Sequence, residues 1–130
     1  MIGLDTTAII DILNDDNALK KVFGDLTEPI VTNRISYLEI MFGIDSKSGK
    51  FSEENQLYDN LFDSMDLFEL DVESCKKATE IFWKLRKEGA NIEQFDCAIA
   101  GIYLSNNISK IITKNKHHFE KIREIEVISY

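Results

Sequence analysis

Five short apolar runs, at residues 2–4, 30–32, 68–70, 111–113 and 127–129, are the feature that most narrows what this chain folds into. Each is of strand length, and most of the gaps between them carry apolar residues at helical spacing. Strands alternating with helices predict an α/β chain built on a mostly parallel sheet.

The helical segments carry start and stop signals of their own. Asp5-Thr6-Thr7 offers N-caps before residues 8–13, and residues 18–26 place Leu19, Val22, Phe23 and Leu26 at helical spacing. Ser36-Tyr37-Leu38-Glu39 fits a capping box opening a helix that runs to residue 44. Residues 52–65 put Leu57, Tyr58, Leu61, Phe62 and Met65 on one stripe, and residues 72–88 do the same with Ala78, Ile81, Phe82 and Leu85 before a stop at Gly89. A last helix over residues 93–105 closes at Asn106-Asn107. The stretch Asp45-Ser46-Lys47-Ser48-Gly49-Lys50 reads as a loop. With Pro29 the sole proline and no linker or repeat period, residues 1–130 read as one domain.

Charge limits the partners. The net charge is −8, which disfavours nonspecific attraction to nucleic acid or an anionic membrane, yet it is unevenly spread. Residues 1–75 hold 5 basic and 16 acidic side chains, whereas residues 76–130 hold 10 basic and 7 acidic, so the second part has a local surplus of cations. The longest apolar stretch, residues 97–104, falls far short of the roughly 18 needed to span a bilayer. The start Met1-Ile2-Gly3-Leu4-Asp5 has no basic leader, and the chain is expected to stay in the cytoplasm. Cys75 and Cys97, without a second pair or a CxxC, are expected to be buried small hydrophobes.

In open parallel sheets, ligands collect outside the carboxyl ends of the strands. Asp5 ends the first strand, Glu39 lies in the first turn of the helix after the second, and Asn115 follows the fourth, so all three are expected at that edge. Each also has a purely structural role open to it, as N-cap, capping-box partner and turn residue respectively. No strand directly precedes Asp96, which the pattern leaves unplaced. Its flanks Phe95, Cys97, Ala98, Ile99 and Ala100 make an apolar neighbourhood in which a buried carboxylate needs a partner or a metal. His117 and His118 are adjacent on a surface segment with Lys110, Lys114, Lys116, Lys121 and Arg123, a face that is either simply solvated or touches an RNA backbone. No Ser-His-Asp grouping is evident. Aspartyl-phosphate chemistry at Asp5 would want a second acid where Thr7 stands.

Four pieces taken in order, Leu4-Asp5-Thr6, Ser36-Tyr37-Leu38-Glu39 with Gly43 a turn later, Asp96-Cys97-Ala98-Ile99-Ala100-Gly101, and Ile112-Thr113-Lys114-Asn115-Lys116-His117-His118-Phe119, resemble the PIN-domain family and its small ribonuclease toxins of VapC type. The resemblance spans nearly the whole chain. It implies a three-layer α/β/α fold around a central parallel sheet of four to five strands, with Asp5, Glu39 and Asp96 binding Mg²⁺ or Mn²⁺ at its carboxyl edge. It further implies endoribonuclease activity, a homodimer and a cognate antitoxin covering the acidic groove. Hard divalent ions prefer oxygen ligands, and they supply what phosphodiester cleavage needs. Thr6 and Thr113 are auxiliary hydroxyls in this reading, and Lys114, Lys116 and His117 are the candidate RNA contacts. One departure stands out: many PIN nucleases have a fourth aspartate where this chain has Asn115. That leaves open a PIN-like binding module with degraded catalysis.

Overall fold

A computed structural model describes residues 1–130. The order of elements is β1 (Ile2–Leu4), α1 (Thr6–Leu13), α2 (Asn17–Gly24), β2 (Ile30–Asn33), α3 (Arg34–Phe42), α4 (Phe51–Asp63), β3 (Leu67–Phe68), α5 (Val72–Lys87), α6 (Gln94–Ser105), β4 (Lys110–Thr113), a 3₁₀ turn (Lys116–His118) and β5 (Glu126–Ser129). The five strands form one parallel sheet in the order β3-β2-β1-β4-β5. From β1 the chain first steps outward to β2 and β3, then crosses back to β4 and β5. The carboxyl ends of β1 and β4 therefore flank the point where strand order reverses, the position where open α/β sheets bind ligands.

Strand alternation sorts the core into two halves. Val31 and Ile111 face one cluster with Ala78, Ile81, Leu85 and Ile99 from α5 and α6. Ile2, Leu4 and Ile112 face the other, with Ala8, Ile9, Leu19 and Phe62 from α1, α2 and α4. Helix α3 contributes to both, through Ile35 on one side and Ile40 on the other, and it touches α1 and α6. It thus straddles the sheet edge that carries the candidate site.

Two glycines set close approaches. A Cβ on Gly3 would lie 2.4 Å from the Tyr103 ring, so only glycine lets that buried phenol cross β1. A Cβ on Gly101 would lie 2.6 Å from the Ser74 carbonyl oxygen, which fixes how tightly α6 seats on α5. Gly89, at φ +79°, supplies the turn that stops the helix before it.

Several sequence expectations change in detail. Helix α3 starts three residues earlier than the capping box predicts: Asn33 rather than Ser36 is the N-cap, its Oδ1 accepting from Ser36 N at 2.8 Å, and Glu39 stands beyond the first turn. Asn33 outcompetes Ser36 because it ends β2 in extended conformation, with its side chain already aimed at the free amides. Cys97 is buried as expected, but Cys75 is exposed on the outer face of α5. Leu57 points to solvent rather than along the core stripe of α4. No helix is long and apolar enough to cross a membrane.

Candidate metal and nucleic-acid site

The site begins at the last residue before α1. Asp5 caps that helix, its Oδ1 accepting from Ala8 N at 3.0 Å and from the Thr7 hydroxyl at 2.8 Å. Its Oδ2 accepts from the Thr113 hydroxyl at 2.5 Å, a bond that ties the end of β1 to the end of β4. Asp5 is only 4% exposed. Burial raises its pKa, opposed by the bonds from Thr113, Ala8 and Thr7, which favour the charged form.

Beneath it, a buried polar cluster fixes the backbone. The Tyr103 hydroxyl donates to the Leu4 carbonyl at 2.6 Å and accepts from Asn33 Nδ2 at 2.9 Å. Burial pushes that phenol far above its ordinary pKa, so it stays protonated and donates. Asn33 Nδ2 also lies 3.0 Å from Ser36 Oγ, which is 3.0 Å from the Thr6 hydroxyl. Thr6 in turn donates to Glu39 Oε1 at 2.7 Å. Glu39 is therefore oriented by a hydrogen-bonded chain that begins at the Leu4 carbonyl, one residue before Asp5.

Asp96 sits in the first turn of α6, where the helix dipole favours negative charge. Its Oδ2 lies 2.9 Å from His118 Nδ1, across from the 3₁₀ turn. Its pKa is pushed up to about 6, first by burial and then by the charges of Glu39 and Asp5, while His118 opposes the shift. The Coulombic reach of Glu39 and Asp5 to this carboxyl means that residues 5, 39 and 96 share one electrostatic neighbourhood. Together with Thr6, Thr7, Glu93, Phe95 and His118 they line one cleft of about 200 Å³.

The other expected residues are distributed around this cleft. Thr113 is fully buried behind Asp5. Asn115 follows β4 as expected, but it is exposed and lies outside the cleft lining; its backbone N–H donates to Thr113 Oγ1 at 3.0 Å. Lys114 points away, with Nζ 3.4 Å from Asp11 Oδ2, while its backbone N–H donates to Thr7. Lys116 is exposed. His117 turns to Glu120 Oε1 at 2.7 Å and borders a smaller neighbouring cleft with Glu93 and Asp96. Sequence reasoning missed His118 as the partner of Asp96. The expected need of Asp96 for a partner was the only available signal.

The donor set suits a hard divalent cation: Asp5, Glu39, Glu93 and Asp96 line one cleft, and burial, with repulsion from Glu39 and Asp5 added to it, keeps Asp96 from ionising at its usual pH. As they stand, no three His, Cys, Asp or Glu side chains converge tightly enough to enclose an ion. Thr6 and His118 instead hold Glu39 and Asp96.

A five-stranded parallel sheet carrying clustered acids at its reversal point defines an α/β domain with an acidic site, and residues 2–125 match the PIN domain. The chain belongs to the PIN-domain family. Its fold is shared with chains of VapBC toxin–antitoxin complexes. VapBC2 from Rickettsia felis, bound to a DNA fragment from its promoter, is 20% identical with a TM-score of 0.85, over 100% of this chain and 99% of that one. VapBC-1 from nontypeable Haemophilus influenzae is 24% identical with a TM-score of 0.83, over 99% and 98%. VapC20 from Mycobacterium tuberculosis, described as a sarcin–ricin loop cleaving toxin, is 14% identical with a TM-score of 0.65, over 85% and 87%. Comparison with curated protein sequences finds no match.

Proposed function

We propose that the chain is the toxin of a toxin–antitoxin pair, an endoribonuclease that depends on Mg²⁺ or Mn²⁺ and acts in the cytoplasm. The observation that carries this reading is the meeting of Asp5, Glu39 and Asp96, which lie far apart in sequence, in one cleft at the strand-order reversal. The PIN-domain membership and the VapBC likenesses support it.

In this reading Asp5, Glu39 and Asp96 hold the cation, which when bound supplies Lewis acidity toward the phosphate and a water of lowered pKa. Thr113 and Thr7 aim Asp5 and favour its charged form, and Thr6 aims Glu39. His118 holds Asp96 near the cleft and, when protonated, offsets its charge. Asn115, bonded through its backbone N–H to Thr113, is an uncharged auxiliary outside the cleft. Lys114, Lys116 and His117 are the candidate RNA-backbone contacts; Lys114 and His117 would first release Asp11 and Glu120. Exposed Leu38 and Phe42 on α3 offer apolar surface for a second copy or an antitoxin.

The test is cleavage of RNA by the full chain with and without Mg²⁺ or Mn²⁺, alongside Asp96→Asn. Metal-dependent cleavage that the variant lacks supports the reading; full activity in the variant contradicts it. A second reading, a PIN-like binding module with degraded catalysis, is favoured by one observation: the acids do not enclose an ion as they stand. Calorimetric titration with Mn²⁺ separates the two, because such a module binds none at millimolar concentration.

A further inference from the structure

A larger cavity, about 490 Å³, adjoins the acidic cleft where the end of α5 meets the start of α6. Its size falls within the range of about 300–1,000 Å³ typical of small-molecule sites. Phe82 and Arg86 come from α5, Asn91 from the connecting loop, and Glu93, Gln94 and Phe95 from the start of α6. Glu93 and Phe95 line both cavities, and Phe95 immediately precedes Asp96, so the two spaces share a wall.

The lining chemistry suits a flat, neutral ligand with polar edges. Two phenyl rings and a guanidinium provide planar faces, while two carboxamides provide donors and acceptors together. The Arg86 guanidinium lies 5.7 Å from the Phe82 ring centre and 5.9 Å from that of Trp83, and it takes part in none of the chain's ion pairs. Glu93 in the shared wall disfavours a second phosphate there, and a single carboxylate makes a poor cation site.

We propose that this cavity receives the nucleobase next to the phosphate that lies at the acidic cleft in a bound single-stranded RNA. Phe82, Phe95 and Arg86 stack on the base, and Asn91 and Gln94 read its edge. The proposal takes its RNA from the nuclease reading, but the cavity and its chemistry are independent of whether the acids cleave.

The test uses the full-length Asp96→Asn chain with Mg²⁺ and labelled RNA octamers, intact or carrying one abasic ribose scanned along the strand. Binding is followed by anisotropy and by quenching of Trp83, the single tryptophan, whose ring centre is 5.3 Å from that of Phe82. An abasic ribose at one position is expected to weaken binding about tenfold and to remove the quenching. Adding Arg86→Gln and Asn91→Ala, both at exposed positions, should make intact and abasic octamers bind alike. Equal binding of all octamers to Asp96→Asn, absence of RNA binding, or unchanged discrimination in the triple variant overturns the proposal. So does weakened capture of an antitoxin peptide by Arg86→Gln without any abasic effect, which would make the cavity a protein contact. Wild-type cleavage, run in parallel, separates the two ideas. Cleavage without an abasic effect removes only the base pocket, whereas absent cleavage removes the nuclease reading and leaves the binding scan to decide the pocket.

Discussion

Asp5 and Asp96 line the same cleft, and the protein holds them in opposite ways. Asp5 is locked by three hydrogen bonds from Thr7, Ala8 and Thr113, on a backbone pinned by Tyr103. Asp96 has one side-chain partner, the half-exposed His118, and a pKa pushed up to about 6. The first carboxylate is fixed by the fold; the second is loosely tethered and carries the pKa raised by burial and by its acidic neighbours. The same residue type is thus held to different degrees in one site according to how many donors surround it.

Four substitutions sharpen or break that contrast. Asp5→Ala removes an N-cap and leaves Thr113 without its partner, so it should cost about 2–3 kcal/mol in chemical denaturation as well as RNA cleavage. Equal stability to wild type would mean that Asp5 is not locked. Thr113→Val should cost about 1–2 kcal/mol by the same measurement, with cleavage reduced rather than lost. Asp96→Asn should abolish cleavage yet melt at the same temperature as wild type or higher, because it relieves repulsion. His118→Ala should reduce cleavage about tenfold or more while barely moving the melting temperature. It should also raise the Asp96 pKa further, since His118 is the group that opposes the shift.

The pH dependence follows from the same contrast. Asp96 has a higher pKa folded than its ordinary 3.8, so between about pH 4 and 6 the folded chain binds more protons than the unfolded one. Stability without divalent cation should therefore fall as pH rises through that window and level off above it. Asp5 is shifted in the same direction and adds to the slope. Melting curves from pH 4 to 8 on wild type and Asp96→Asn check this, and the variant should show the shallower fall.

How much of this was legible beforehand depended on whether a residue's neighbours in space were also its neighbours in sequence. The strands at residues 2–4 and 111–113 are readable because apolar runs report burial on both faces; residues 127–129 are readable from the run alone, since β5 is a half-buried edge strand. Asp5 and Glu39 were placed at the right edge because strand ends and the helices that follow them are local features. Asp96 stands out through its apolar flanks and the family resemblance, but local pattern leaves it unplaced, since the packing of α6 on α5 that brings it to the edge depends on contacts such as Gly101 against Ser74. Asn33 was hidden behind the capping-box pattern at Ser36, and no local signal linked it to Tyr103, 70 positions away. His118 was indistinguishable from His117 until the 3₁₀ turn sent one ring to Asp96 and the other to Glu120.

The account rests on residues 5, 39 and 96 acting as one electrostatic site. Carboxyl-carbon NMR titration of Asp96 in metal-free wild type and Glu39→Gln tests it without reference to activity. Asp96 should titrate near pH 6 in the wild type and measurably lower once the Glu39 charge is gone. An ordinary carboxylate midpoint, or one indifferent to Glu39, would mean that the acids stand apart.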